Sequence, residues 1–256
     1  DTGGGGGGFL KACSHHAAID LGAESGRVIL GKLEGGKISI EEIHRFPNRM
    51  REKDGGLRWD LRHLEQEILA GLKRIGDRKI PLDSVSTDSW GVDYVFLPED
   101  GSPAKDPFCY RDGRNERAYP KVVERLGRER IFERTGLQFM PFNTRFQAAA
   151  DGFESRSELP KAKVILPMAD YFNFFLEGKP AAEVSLASTT QFYDPRKREW
   201  ARDLLEQVGF PVRLLPQIVA SGTRLGKISP ATIQATGLPA TCEVVARAPR
   251  RFCSWG

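Results

Sequence analysis

The chain has 256 residues, 40% of them apolar and 28% charged, which is enough apolar material for a sizeable core in one large domain or two small ones. A net charge of +4, with 38 basic and 34 acidic residues interspersed, is too mild and too mixed for a nucleic-acid partner, and no apolar run reaches membrane-spanning length. Cys13, Cys109, Cys242 and Cys253 form no CxxC pair and have no metal-ligand spacing, which reads as a reduced, cytoplasmic protein.

Residues 1–8 are a low-complexity Gly-rich leader, without the apolar and charged regions of a signal peptide. His15-His16 has no nearby partner ligands and reads as surface, so order is expected to begin near Ser14. The next segment, from Ala17 to Leu30, reads as strand, glycine-punctuated turn and strand. Asp20 ends the first strand, and Gly22 and Gly26 bracket a turn containing Ser25. A triphosphate with Mg²⁺ needs a carboxylate near the metal and close-packed N–H donors around phosphate oxygens. A plain β-hairpin with a glycine turn fits the same residues equally well.

Strands are predicted over 16–22, 27–34 and 37–46, with Gly35-Gly36 as a hairpin turn. Asp60 caps a helix whose buried stripe is Leu61, Leu64, Ile68, Leu72 and Ile75. A strand over 83–88 follows, and one over 92–97 is expected to pair after it. Three antiparallel strands, a helix and a further strand make an α/β domain with a ribonuclease-H-like mixed sheet flanked by helices. Beyond Tyr119 the chain turns helical, over 120–126, 130–135, 144–153, 168–176 and 203–208.

Two more stretches carry chemistry. In Thr87-Asp-Ser-Trp-Gly-Val-Asp-Tyr94, Asp88 and Asp93 flank Trp90 and Gly91. A sugar site uses carboxylates for hydroxyl pairs, an aromatic face for C–H surface, and glycine where backbone meets ligand. The same residues also fit a strand-to-strand turn with solvated carboxylates and a core tryptophan. Tyr110-Arg-Asp-Gly-Arg114 is the other, and it equally resembles an exposed turn.

Taken in order, these motifs resemble the N-terminal half of the rhamnulokinases, in the FGGY family of carbohydrate kinases. The likeness runs from about Ala17 to about Pro239. It rests on Asp20-Leu-Gly-Ala-Glu-Ser-Gly-Arg27, His44-Arg-Phe-Pro-Asn48, Trp59-Asp60, the stretch from Thr87 to Asp93, and that from Tyr110 to Arg114. Gly136-Leu-Gln-Phe-Met-Pro-Phe-Asn-Thr144, Asp170-Tyr-Phe-Asn-Phe-Phe-Leu-Glu-Gly178 and Ser188-Thr-Thr-Gln191 complete the series. The resemblance implies an actin-like ATPase fold and ATP-dependent phosphorylation of L-rhamnulose to L-rhamnulose 1-phosphate. It assigns Ala23, Glu24, Ser25, Gly26 and Arg27 to ATP, and Asp20 to Mg²⁺ through water. It assigns Gly91 to the sugar. Trp90 and Asp93 beside Gly91 are the other candidate sugar contacts, with Arg111 and Asp112, which either touch sugar or brace a loop. Asn143 and Gln191 are polar residues near aromatic runs, plausible in a cleft.

The departures carry weight. The family's catalytic base is an aspartate in a His-Asp-Thr segment, and none occurs in these 256 residues. Ala169 stands where the family usually has proline. The expected organisation is a leader over 1–14, the sugar-binding N-terminal domain over 15–245, and an aberrant tail over 246–256 with the second domain missing. A truncated product, from a frameshift near Ala246, would be inactive alone. The alternatives are another sugar kinase of the family, acting on fuculose, xylulose or glycerol; a nuclease of the same fold using Asp20, Asp88 and Glu65 or Glu67; and a non-catalytic remnant binding sugar or a partner protein.

Overall fold

Ala17, Ile19 and Leu21 alternate with the more open Ala18 and Asp20, and this period of two sets the centre of a sheet. The computed structural model describes residues 13–153 and 158–246. Strand β1 (Cys13–Leu21) turns into β2 (Ser25–Glu34), and Gly35-Gly36 joins β2 to β3 (Lys37–Pro47). Both glycines have positive φ (55° and 75°), as a two-residue hairpin turn of this hand requires. A second hairpin follows, β4 (Met50–Lys53) and β5 (Gly56–Trp59), turning at Asp54 (φ 52°) and Gly55 (φ 75°). The sequence reading passes over it, because four-residue, mostly polar strands show no alternation, although Asp-Gly is a strong turn signal.

Asp60 caps α1 (Leu61–Asp77), its carboxylate accepting the His63 N–H at 3.1 Å, and the five predicted stripe residues are buried. Next come β6 (Leu82–Ser89), β7 (Tyr94–Pro98), α2 (Arg114–Leu126), α3 (Arg128–Thr135), α4 (Thr144–Phe153), β8 (Ala162–Pro167) and α5 (Met168–Glu177). Then follow β9 (Ala182–Glu183), α6 (Val184–Thr189), β10 (Tyr193–Asp194), β11 (Glu199–Trp200), α7 (Arg202–Gln207), β12 (Ile218–Val219), β13 (Arg224–Lys227), α8 (Pro230–Thr236) and β14 (Glu243–Val245). Helix α2 starts six residues before the expected position and carries Pro120 inside it.

The main sheet has the order β13-β14-β6-β1-β2-β3. Strands β1 to β3 are antiparallel, and β6 lies parallel to both β1 and β14. This is the expected mixed sheet flanked by helices. Residues from β1, β2, β6, α1 and α5 share one buried cluster, with Phe172 and Leu176 of α5 among them. Each fully buried side chain of Leu size contributes roughly 2 kcal/mol, so this shared cluster dominates the fold.

Three expectations need correcting. Strand β7 does not pair beside β6. Both edges of β6 are taken, by β1 and β14, and β7 pairs antiparallel with β8 in its own small sheet. Strand β1 takes in Cys13 and Ser14, assigned above to the leader. Ala246, assigned to the tail, is buried, and its N–H donates to the Thr223 carbonyl at 2.9 Å. The rest of the leader and tail, residues 1–12 and 247–256, lies outside the described residues.

Candidate functional site

Parallel pairing of β1 and β6 brings Asp20 beside Asp88 and Leu21 beside Ser89, so both strands end at one edge. The turn after β1 is pinned from β3. Gly22 N–H donates to the Ser25 carbonyl (2.9 Å), Asn48 Nδ2 to the Gly22 carbonyl (2.8 Å), and Asn48 N–H to the Glu24 carbonyl (2.9 Å). Among the described residues the N–H groups of Ala23 and Glu24 have no acceptor, so two adjacent donors stand open at the strand end. Gly26 has another purpose. It is buried in β2, and a Cβ there would sit 2.3 Å from Phe46 Cε2.

Arg27 lies opposite Asp20 and donates Nε and Nη2 to Asp20 Oδ2, at 2.9 and 2.6 Å. Asp88 is buried and accepts the Ser89 N–H at 2.9 Å. Among the described residues no group of three or more His, Cys, Asp or Glu is placed to hold a metal. The donor set fits Mg²⁺ held through water by few carboxylates, with Asp20 part-exposed. It does not fit a directly ligated two-metal centre. Glu65 accepts from the Tyr171 hydroxyl, and Glu67 bonds His44 Nε2, so the helix carboxylates needed by a nuclease are engaged elsewhere.

Beyond β6 the chain makes Trp90, Gly91, Val92 and Asp93. The Trp90 N–H donates to the Leu21 carbonyl at 3.2 Å, tying this turn to the end of β1. Val92 has φ 70°, a conformation that costs a β-branched residue about 1–2 kcal/mol. Its carbonyl accepts from Thr144 Oγ1 (2.6 Å) and Gln147 Nε2 (3.2 Å), both on α4, which hold the strained peptide.

Asp93 is 2% exposed and forms the hub. Oδ2 accepts from Trp59 Nε1 (2.6 Å), Trp90 Nε1 (2.9 Å) and the Tyr110 N–H (3.2 Å), and Oδ1 from Gln147 Nε2 (2.9 Å). Burial without a cation pushes its carboxyl up to about 6. Four donors suit the ionised, acceptor-only form and occupy its oxygens. Asp93 therefore orients the indoles of Trp90 and Trp59, whose centroids lie 4.4 Å apart.

The loop after it divides by exposure. Arg111 is exposed, its guanidinium 5.3 Å from the Tyr110 ring centroid. Asp112 braces the loop, accepting the Leu57 N–H (2.6 Å) and Arg114 N–H (2.8 Å). Asn143 is buried and accepts the Met140 N–H, and Gln191 is buried with φ 58°, donating to the Gln138 carbonyl. Both stiffen loops.

Gln147 escapes a reading of local motifs, and Trp59 and Thr144 enter it only as motif members, without their roles at Asp93 and Val92. The local signal for Thr144 and Gln147 is polar residues at i and i+3 on one helix face. A cavity of about 160 Å³ adjoins the hub, lined by Arg58, Tyr94, Phe108, Arg114, Gln147 and Asp151 among others. The guanidiniums of Arg58 and Arg114 lie 3.7 and 3.5 Å from the Phe108 centroid, and Arg114 pairs with buried Asp151 at 2.5 Å.

Residues 16–249 match a family profile described as "FGGY family of carbohydrate kinases, N-terminal domain". The rhamnulokinase of Pectobacterium carotovorum subsp. carotovorum is 41% identical over 218 residues, covering 84% of this chain and 44% of that protein. That of Enterococcus faecalis is 37% identical over 225 residues, covering 88% of this chain and 45% of that protein. The chain thus spans less than half the length of these curated relatives. Among solved structures, gluconate kinase from Lactobacillus acidophilus superposes with a TM-score of 0.82 at 15% identity, covering 93% of this chain and 48% of that one. Ligand-bound xylulose kinase from the same organism gives 0.81 at 15%, covering 92% and 48%. At those identities the superpositions show the fold alone, an actin-like α/β fold.

Proposed function

The chain belongs to the FGGY family of carbohydrate kinases, and from that premise we propose that it carries the sugar side of an ATP-dependent kinase acting on L-rhamnulose. The product is L-rhamnulose 1-phosphate, and the location cytoplasmic. The 41% identity to a rhamnulokinase carries the choice of sugar. The hub at Asp93 supports a site at Gly91, because it holds an aromatic face and a strained backbone rigidly at a strand end.

The proposed roles are as follows. Trp90 and Gly91 meet the sugar, Asp93 positions Trp90, Arg111 reaches hydroxyls from the exposed rim, and Asp112 steadies the loop. Ala23 and Glu24 offer backbone N–H groups to phosphate oxygens, and Ser25 and Arg27 add a hydroxyl and a positive charge. Gly26 keeps the turn close-packed. Asp20 would hold Mg²⁺ through water. Bound Mg-ATP supplies the phosphoryl group: a bond from the sugar oxygen forms to phosphorus as the bond to ADP breaks. The hydroxyl proton needs a base, and without a His-Asp-Thr segment these 256 residues bind sugar without turning it over.

Calorimetry with L-rhamnulose, L-fuculose, D-xylulose and glycerol, without ATP, tests this. The expected result is heat with rhamnulose, and weaker or no heat with the others. A preference for another of the four moves the protein to that kinase within the family. No heat with any sugar removes the sugar site from Gly91.

A further inference from the structure

Strand β3 is the outer edge of the six-stranded sheet. Its first six residues, from Lys37 to Glu42, are all exposed. Ile38 and Ile40 are 76% and 75% exposed, and Leu33 of β2, directly opposite Ile38, is 36% exposed. Helix α1 covers the other face of this hairpin, where Arg78 reaches Glu41 at 2.9 Å. The three apolar side chains thus form a strip on the side away from the helix, at an unpaired sheet edge.

A two-residue turn closes on a hydrogen-bonded pair, here Glu34 and Lys37. Lys37, Ser39 and Glu41 therefore bond inward to β2, and the peptide groups of Ile38, Ile40 and Glu42 face outward. Edge strands are ordinarily blunted by proline, inward charge or a bulge. The ladder here shifts register only between Val28 and Ile29, beyond this stretch, and the sole proline of the strand is Pro47.

We propose that a second copy of this chain pairs antiparallel along Lys37-Ile-Ser-Ile-Glu-Glu42, about a two-fold axis at Ser39. In that register Ile38 faces Ile40 of the partner subunit, and Lys37 faces Glu41 of the partner subunit. Each contact occurs twice by symmetry. The isoleucine pairs exchange the outward peptide hydrogen bonds, and the two strips join into one. A shift of two residues one way keeps Ile40 against Ile40 but sets Ile38 against Glu42, and the other way keeps Ile38 against Ile38 but sets Ile40 against Gly36. A shift of one sets outward-facing peptide groups against inward-facing ones. Only the register centred on Ser39 matches both isoleucines with isoleucine and also lysine with glutamate. Six residues a side make a small interface, so the dimer is weak and concentration-dependent.

Sedimentation of the full chain over a concentration series tests this independently of the kinase reading. The expected result is a monomer–dimer equilibrium, weakened about tenfold or more by Ile40→Lys. Lys37→Glu and Glu41→Lys each weaken it, and the double exchange restores it, because the charges then pair in the opposite sense. Thermal unfolding verifies that the variants fold, since Glu41→Lys also loses the exposed Arg78 pair. A monomer at every concentration, a dimer indifferent to Ile40→Lys, or a double exchange no tighter than either single change overturns the proposal.

Discussion

Asp93 compresses the site's logic into one side chain. Burial with no cation beside it raises its carboxyl from 3.8 to about 6, against the opposing pull of four neutral donors. Between those values the folded protein keeps a proton that the unfolded chain has released. Stability from this group is therefore greatest below about pH 4 and is lost as pH rises to about 6, by about 3 kcal/mol. Asp93→Asn removes the titration, at the cost of turning an amide NH₂ toward one of the four donors. Urea unfolding at about pH 4 and about pH 6.5 should show the gap between variant and parent narrowing as pH rises. A gap that does not change with pH would mean that the carboxyl is not perturbed. The sequence marked Asp93 as a sugar contact. What it hides is that Trp59, 34 positions away, and Gln147, 54 away, fill the same oxygens.

At the scale of elements, close approach decides what may vary. Helix α1 carries Gly71 and Gly76 on its buried side. A Cβ on Gly71 would meet the Val28 side chain at 2.5 Å, whereas one on Gly76 would lie 2.0 Å from the Thr236 carbonyl oxygen of α8. A side chain can yield where backbone cannot, so Gly76→Ala should cost about 2–3 kcal/mol and Gly71→Ala less. Chemical denaturation of both variants measures the order, and equal costs would show that α8 moves away freely. The α1 stripe and the β1–β2–β3 meander were legible because periods of 3.6 and 2 repeat over whole elements. Strand β7 was misplaced because Gly91-Val92 gives no local sign of leaving the sheet. The departure requires Val92 at φ 70°, held by Thr144 and Gln147 from a distant helix. Motif order found the candidate site, while the contacts that stiffen it are tertiary and leave no trace in spacing.

At the scale of the molecule, one sheet edge gathers two kinds of surface. The turn after β1 opens two backbone donors beside Asp20 and Arg27, and the turn after β6 presents an indole and a glycine. Their linkage through the Trp90 N–H and Leu21 carbonyl fixes the two turns relative to each other. Phosphoryl transfer depends on positioning and on stabilising charge, so one wall supplies binding and part of the orientation. Asp93, the carboxylate that holds Trp90, is buried and saturated with donors, so it is not free to accept the hydroxyl proton. Given Mg-ATP and L-rhamnulose, the chain should therefore hold the sugar, quenching or shifting Trp90 fluorescence, while releasing no ADP above background. Asp20→Asn should leave the rhamnulose response unchanged within about twofold, if Asp20 has the metal-side role proposed for it. Sugar phosphate formed at roughly 1–100 s⁻¹, the range of working kinases, would mean that a base is present within these residues after all. In that event Asp88, buried beside Asp20 at the same strand ends, is the residue to replace first.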